Sequence, residues 1–302
     1  MGKQTPMTTT TQSQLLDKQW HEIMMDWYTR YPREWSQFCN QMTHNESYYS
    51  KYEMASLGAF AQTPEGDVYT ADSFEALGGK RVYFPTYKQS VVATEDLIDD
   101  DLTGIIGRSI VPEMGKAAAY TEELEAIDVL SGAFVTTYRT GMDGVALCSA
   151  THPLDTPTAS TFNNVVSGAL GATTLQSALD ICNSMVNYLG VPIPQIAQTL
   201  LISPSDEVVA KELLLSEKKP YTTDNEINTL ASNGLSYSIN HYLPSGYWFI
   251  ICRDHDIHFI RRKTLARKTY IQENTDNIVY TAKMRFGVDF WDWRGIVGSA
   301  GA

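Results

Sequence analysis

Residues 109–134 read SIVPEMGKAAAYTEELEAIDVLSGAF, and this stretch sets the frame for the rest of the chain. Ser109 stands where an N-cap is wanted, and Pro112 is tolerated in a first helical turn because its missing N–H would go unpaired there in any case. Met114, Ala117, Ala118, Thr121, Leu124, Ile127 and Leu130 recur at spacings of three and four, and Gly132 fits a stop. At 1.5 Å per residue the predicted helix is roughly 30–35 Å long. It is the longest regular element legible in the sequence, and it is expected to act as the backbone on which the other elements pack.

Upstream, Leu16, Trp20, Ile23, Met24, Trp27, Tyr28 and Tyr31 repeat with helical spacing from Leu15 until Pro32 interrupts. The preceding dozen residues are rich in Thr and Gln and are expected to be disordered. A segment this aromatic needs a surface, either its own domain or a neighbouring subunit. Residues 55–92 carry turn signals at Pro64-Glu65-Gly66-Asp67 and Gly78-Gly79, with β-prone runs such as RVYFPTYKQSVVA between and beyond them. They hold too few large apolar residues for a core, so a long two-stranded excursion that leans on something else is predicted. Thr94 can cap a short acidic helix, with Glu95 and Asp96 in its first turn. Asp99, Asp100 and Asp101 lack the ligand alternation and central Gly of a calcium loop, so they read as solvated or salt-bridging carboxylates.

Downstream, residues 143–254 alternate in type. A helix is predicted around Thr174–Leu189, a strand in QIAQTLLIS, a helix in DEVVAKELLLSE, and strands in GLSYSINHYL and YWFIICRD. Residues 255–302 are strand-rich with long apolar–polar alternation. Within them Arg261, Arg262, Lys263, Arg267 and Lys268 form a basic cluster. In an acidic chain with strand patterning this cluster reads as inter-subunit salt bridging rather than phosphate contact.

The composition narrows the function classes. The 302 residues are 43% hydrophobic and 19% charged with a net charge of −12, ordinary for a folded soluble protein and contrary to a dedicated nucleic-acid binder. No run approaches the roughly 20 apolar residues that span a bilayer, and MGKQTPMTTTTQSQ lacks the apolar centre of a secretory signal, so a soluble, cytoplasmically made protein is expected. Cys39, Cys148, Cys182 and Cys252 are widely spaced and suggest reduced, buried thiols rather than a zinc cage or disulfides. His255 and His258 have no third ligand nearby. Cys148, Ser149, His152 and Asp155 crowd one short stretch, but chain neighbours rarely form a catalytic constellation, which is assembled in space. His152 is expected to order a loop and Cys148 to pack. No enzymatic activity, cofactor or metal is expected.

Four blocks carry a resemblance. DGVALCSATHPL (143–154), TEDLIDDD (94–101) leading into GKAAAYTEELEAIDVLSGAF (115–134), TLLISPSDEVVAKELLLSE (199–217) and MRFGVDFWDWRGIVGS (284–299) resemble segments of the major capsid proteins of tailed bacteriophages, particularly Mu-like major head subunits, in the same order. The resemblance implies the α+β Hong Kong 97-type fold: an N-terminal arm (1–50), an extended β-hairpin loop (51–92), a peripheral domain with its spine helix (93–142), an axial domain (143–254) and strands completing the peripheral domain (255–302). It implies a virion shell subunit, assembled in the host cytoplasm, that forms hexamers and pentamers around double-stranded DNA without sequence-specific binding or a membrane. A portal and a separate scaffolding protein are the other expected partners, since 50 residues are too few for a built-in scaffolding region. Trp20, Trp27, Phe74, Tyr83 and Phe84 are candidate inter-subunit contacts. Arg261, Arg262 and Lys268 are expected to face carboxylates of adjacent subunits, among them Asp99, Asp100 and Asp101. The alternatives are an encapsulin-type nanocompartment and, behind it, a soluble Cys-dependent hydrolase.

Overall fold

The computed structural model describes residues 9–54, 62–68, 76–94, 97, 109–154, 160–218, 227–272, 275 and 277–301, with side chains from Trp20 onward. Phe74, Asp99, Asp100, Asp101 and Asp155 lie outside the described residues.

Helix α1 (Thr9–Arg30) begins before the expected Leu15 and ends ahead of Pro32. It packs on the spine helix α2 (Val111–Ser131) of its own chain. Gly115 makes this contact possible, because a Cβ there would sit 2.5 Å from the Met24 carbonyl oxygen. Met24 and Tyr28 are buried as a result. Ser109 does not cap α2. The cap position is Ile110, without a side-chain hydrogen bond, and Pro at the helix start removes one of the amides a cap would have satisfied. At the other end Gly132 has φ −90°, so its reason is space rather than handedness: a Cβ would lie 2.4 Å from the Tyr138 ring.

Four strands form the larger sheet in the order β1-β10-β11-β4. Strand β1 (Asn40–Thr43) runs parallel to β10 (Ile257–Gln272), which pairs antiparallel with β11 (Asn277–Phe290), which pairs antiparallel with β4 (Thr86–Ala93). One face of this sheet meets α2 in a single core that includes Met114, Ala118, Leu265, Tyr280, Met284 and Phe286. Trp35 stacks on Phe259 with centroids 4.2 Å apart, Phe259 on Phe286 at 5.0 Å, and Tyr87 on Phe286 at 4.6 Å. This aromatic column fastens the turn after α1 to the sheet.

The excursion is a two-stranded ribbon of β2 (Tyr48–Met54) and β3 (Ala76–Tyr83). It begins at Tyr48, ahead of the segment expected from the sequence (55–92, within a loop of 51–92), and ends at Tyr83, short of that segment's end. Pro85 has no N–H to continue the ladder, and the second half of RVYFPTYKQSVVA becomes β4 of the larger sheet.

The second sheet has the order β12-β9-β7-β8, built from β7 (Ala197–Ile202), β8 (Ser236–Ile239), β9 (Trp248–Cys252) and β12 (Ile296–Ser299). A two-residue ribbon, β5 (His152–Pro153) with β6 (Thr161–Phe162), lies before it in the chain. Phe249 and Ile251 of β9 face the spine-helix core. Trp248, Ile250 and Cys252 face a second core with helices α3 (Ala172–Asn183) and α4 (Glu207–Leu215). Burial on both faces explains the unbroken apolar run of β9. The C-terminal strand β12 belongs to this sheet, not to the larger one that residues 255–302 were expected to complete. Its four residues are buried throughout and pair with β9.

Candidate assembly surfaces

The opening of the 143–154 stretch onto β5 is built around Asn164, which is fully buried. Its side-chain amide donates to the carbonyls of Leu147 (2.9 Å) and Ile296 (3.1 Å), and its Oδ1 accepts from the Ser149 amide at 2.8 Å. That fixes the amide orientation. His152, also fully buried, has Nε2 3.1 Å from the same Oδ1 and Nδ1 2.7 Å from Asp143 Oδ2, and it stacks on Trp293 with centroids 4.2 Å apart. Both ring nitrogens are engaged by side-chain oxygens. Neither nitrogen is left to serve Cys148 or Ser149 as a base. Burial alone pushes the Cys148 thiol well above its usual range, and Ser149 Oγ accepts from the Thr151 amide in its own turn. The arrangement ties a loop to β12, as a structural joint would.

A second joint contradicts one expectation. Arg261 does not face an adjacent subunit. It is 8% exposed and bonds Glu122 of α2 at 3.0 Å and the Tyr28 hydroxyl of α1. Tyr28 in turn donates to Glu122 at 2.6 Å, and burial together with Glu122 raises its hydroxyl to about 12. The reason is positional: Arg261 lies on the sheet face that α2 covers, where a cation is held only by a partner. Phe84 is corrected in the same way. It is 2% exposed and packs with Val82, Ile260 and Trp291 of its own chain.

Beside Glu122, Glu123 is 1% exposed. Its Oε2 accepts from the Trp35 amide at 3.1 Å, while Oε1 is buried without a hydrogen-bond partner among the described residues. Burial, outweighing the Trp35 and Glu34 amides, pushes its carboxyl up to about 7. A carboxyl that holds its proton more tightly when folded stabilises the fold fully below its ordinary value of 4.5, and that contribution is lost as pH rises through about 7. Glu123→Gln keeps the shape without the charge. Denaturant unfolding is expected to find this variant about 2 kcal/mol more stable than the natural chain near pH 8 and equal to it near pH 5. A variant weaker than the natural chain at both pH values would refute the assignment.

What remains exposed is the material for contacts between subunits. The β2–β3 ribbon is anchored at its base: Lys51 to Asp256 at 2.7 Å, Lys80 to Asp289 at 2.6 Å, and Tyr49 edge-on to Trp291 at 5.2 Å. Farther out Tyr52 is 59% exposed, and at the base Tyr83, opposite Tyr48, is 65% exposed. Tyr52 lies over Gly79, where a Cβ would meet its ring at 2.4 Å. Trp20 is engaged at home, edge-on to Tyr280 at 5.3 Å, whereas Trp27 is half-exposed beneath the Lys116 ammonium. On α2, Tyr120 and Leu124 point to solvent. Lys268 is exposed, and Arg262 reaches the Asn45 carbonyl. The joints at Glu122, Glu123 and Asn164 escaped the sequence reading because each depends on partners far away in the chain. Four buried free cysteines are present, and among the described residues no group of three potential ligands could hold a metal. No described helix is long and apolar enough to cross a membrane.

The fold is similar to that of solved shell proteins. The chain resembles the mature capsid protein of bacteriophage PhiM1 (12% identity, 89% of this chain and 87% of that one, TM-score 0.59). It also resembles a virus-like particle from Pyrococcus furiosus (10%, 93% and 98%, 0.54) and the procapsid of bacteriophage JBD30 (16%, 98% and 77%, 0.52). At these identities the likeness concerns the fold, which is the Hong Kong 97 type. No curated protein matches the sequence. A family model described as "Phage capsid protein" matches residues 80–299. The chain belongs to the phage capsid protein family, and it is a major capsid protein of a tailed phage.

Proposed function

We propose that this capsid protein assembles with copies of itself into hexamers and pentamers of an icosahedral shell around double-stranded DNA, and that it does so without catalysing a reaction. The observation that carries the reading is the ribbon, whose described contacts to its own subunit lie at Tyr49, Lys51 and Lys80, while Tyr52 stays exposed beyond them and Tyr83 stays exposed at the base. Isolated two-stranded ribbons are marginal in water, so the outer part gains order by docking on a neighbour. Portal and scaffolding proteins are the expected partners, the host cytoplasm the place of assembly and the virion the destination. Of the candidates from the sequence, Trp27, Tyr83 and Arg262 remain proposed inter-subunit contacts, as do Phe74 and Asp99–Asp101, whereas Lys268 lines a basic groove on the larger sheet. An encapsulin-type compartment would use the same fold; the family match favours the phage. Hydrogen exchange on subunit and particle tests the ribbon's role. Amides of 52–54 and 76–79 are expected to exchange fast in the subunit and to become protected together in the particle, while those of 48–51 and 80–84 are protected in both. Equal, strong protection of the outer amides in both states would refute it.

A further inference from the structure

One face of the larger sheet carries a concentration of positive charge that the fold makes worse rather than better. Lys283 of β11 lies directly opposite Lys88 of β4, and Arg285 directly opposite Lys263 of β10. Like charges opposite one another in antiparallel strands destabilise the sheet. Lys268 lies one non-neighbouring register position farther along, opposite Thr281. The crowding lowers the Lys283 ammonium, chiefly through Lys88, and Lys263, Arg285 and Lys268 act in the same sense. None of these five cations has a carboxylate partner among the described residues, in a chain whose net charge is −12. Between the four lysines runs a groove of about 590 Å³ whose other walls include Gln89, Ser90, Thr264, Tyr270 and Thr281, while Arg285 donates to the Phe84 carbonyl beside it. Tyr270 closes the groove beside Lys268, and beyond it the face turns apolar at Val92, which marks the end of the patch.

We infer that this groove binds the phosphate backbone of DNA, an inference that rests on the proposed shell around double-stranded DNA. Four of the five cations are lysines, which act as mobile point charges suited to phosphate without sequence preference. Lysine is depleted from the cores of protein–protein interfaces, which are built on aromatic and apolar anchors, whereas four lysines line this groove, and Tyr270 is the one aromatic residue among its walls. The acidic remainder of the chain then confines DNA contact to this face.

The test uses the full chain and a mixed-sequence duplex of about 20 base pairs, with binding read by fluorescence anisotropy across a salt series. Lys88→Gln combined with Lys283→Gln is expected to weaken binding at least about tenfold at low salt and to reduce the slope of log K against log salt by about two. Lys211→Gln, at a lysine that pairs with Glu207 on α4, is the charge control and is expected to change neither. Unchanged affinity and slope in the double variant would overturn the inference. So would binding of poly-glutamate at least as tight as that of the duplex, or a double variant that binds DNA normally but no longer assembles, since both results place a neighbouring subunit on this face. Shell formation by the natural chain, scored separately by electron microscopy, tells failure of this inference from failure of the shell reading.

Discussion

Arg261→Ala is expected to cost about 3–5 kcal/mol of subunit stability and to lower the melting temperature by on the order of 10 °C. The substitution leaves Glu122, 1% exposed, without its cation and takes a donor from the Tyr28 hydroxyl. The loss is mostly the penalty of an orphaned buried carboxylate, which is why it exceeds that of a surface pair. Two features separate it from an inter-subunit bridge. It is measured on unassembled subunits, and it changes little between low and high salt because a buried pair is poorly screened. Arg262→Ala, a few ångströms along the strand but partly exposed, is expected to cost no more than about 1 kcal/mol. Equal, small effects of the two substitutions on the subunit would return Arg261 to the interface.

Asn164→Asp is expected to be comparably damaging, at about 3–5 kcal/mol, although it exchanges a single NH₂ for oxygen. Asn164 donates to the Leu147 and Ile296 carbonyls and accepts from Ser149 and His152. The aspartate would present a buried oxygen to two carbonyl oxygens, separating the 147–149 loop from β12. Ser149→Ala serves as the control, since among the described residues the Ser149 hydroxyl bonds only Thr151 within its own turn, and it should cost less than about 1 kcal/mol. Urea unfolding of both variants decides the point. Should Asn164→Asp be too unstable to purify, Asn164→Ala, which removes the bonds without adding charge, is expected to lose about 2–4 kcal/mol. A loss below 1 kcal/mol for Asn164→Ala would contradict the account of this joint.

The two joints show where sequence reading reaches its limit. The spine helix was legible because a 3.6-residue period survives in the bare sequence, and its length and stop were close to those observed. Its buried face was only partly legible. Leu124 belongs to the apolar stripe by spacing yet is 42% exposed, while Glu122 and Glu123 are buried. Hydrophobicity cannot reveal a buried carboxylate whose partners are Tyr28, Arg261 and the Trp35 amide, between 88 and 139 residues away. Pro85 was a readable break, but only strand pairing shows that β4 leaves the ribbon for β11. Likewise IVGS is apolar enough for either sheet, and its pairing with β9 decides between them. In the 143–154 stretch the sequence suggested a loop ordered by His152. The buried Asn164 at its centre carries no pattern of its own.

The central claim is that this chain builds a closed shell from copies of itself. Electron microscopy of the protein purified after expression with its expected scaffolding partner tests it most directly. Closed icosahedral particles are expected, whose density shows fivefold and sixfold clusters, with Tyr52 and Tyr83 of each ribbon against a neighbouring subunit and Arg261 bonded to Glu122 within its own. Particles in which the ribbon touches only its own subunit, or preparations that remain monomeric at concentrations where related shells form, would contradict it.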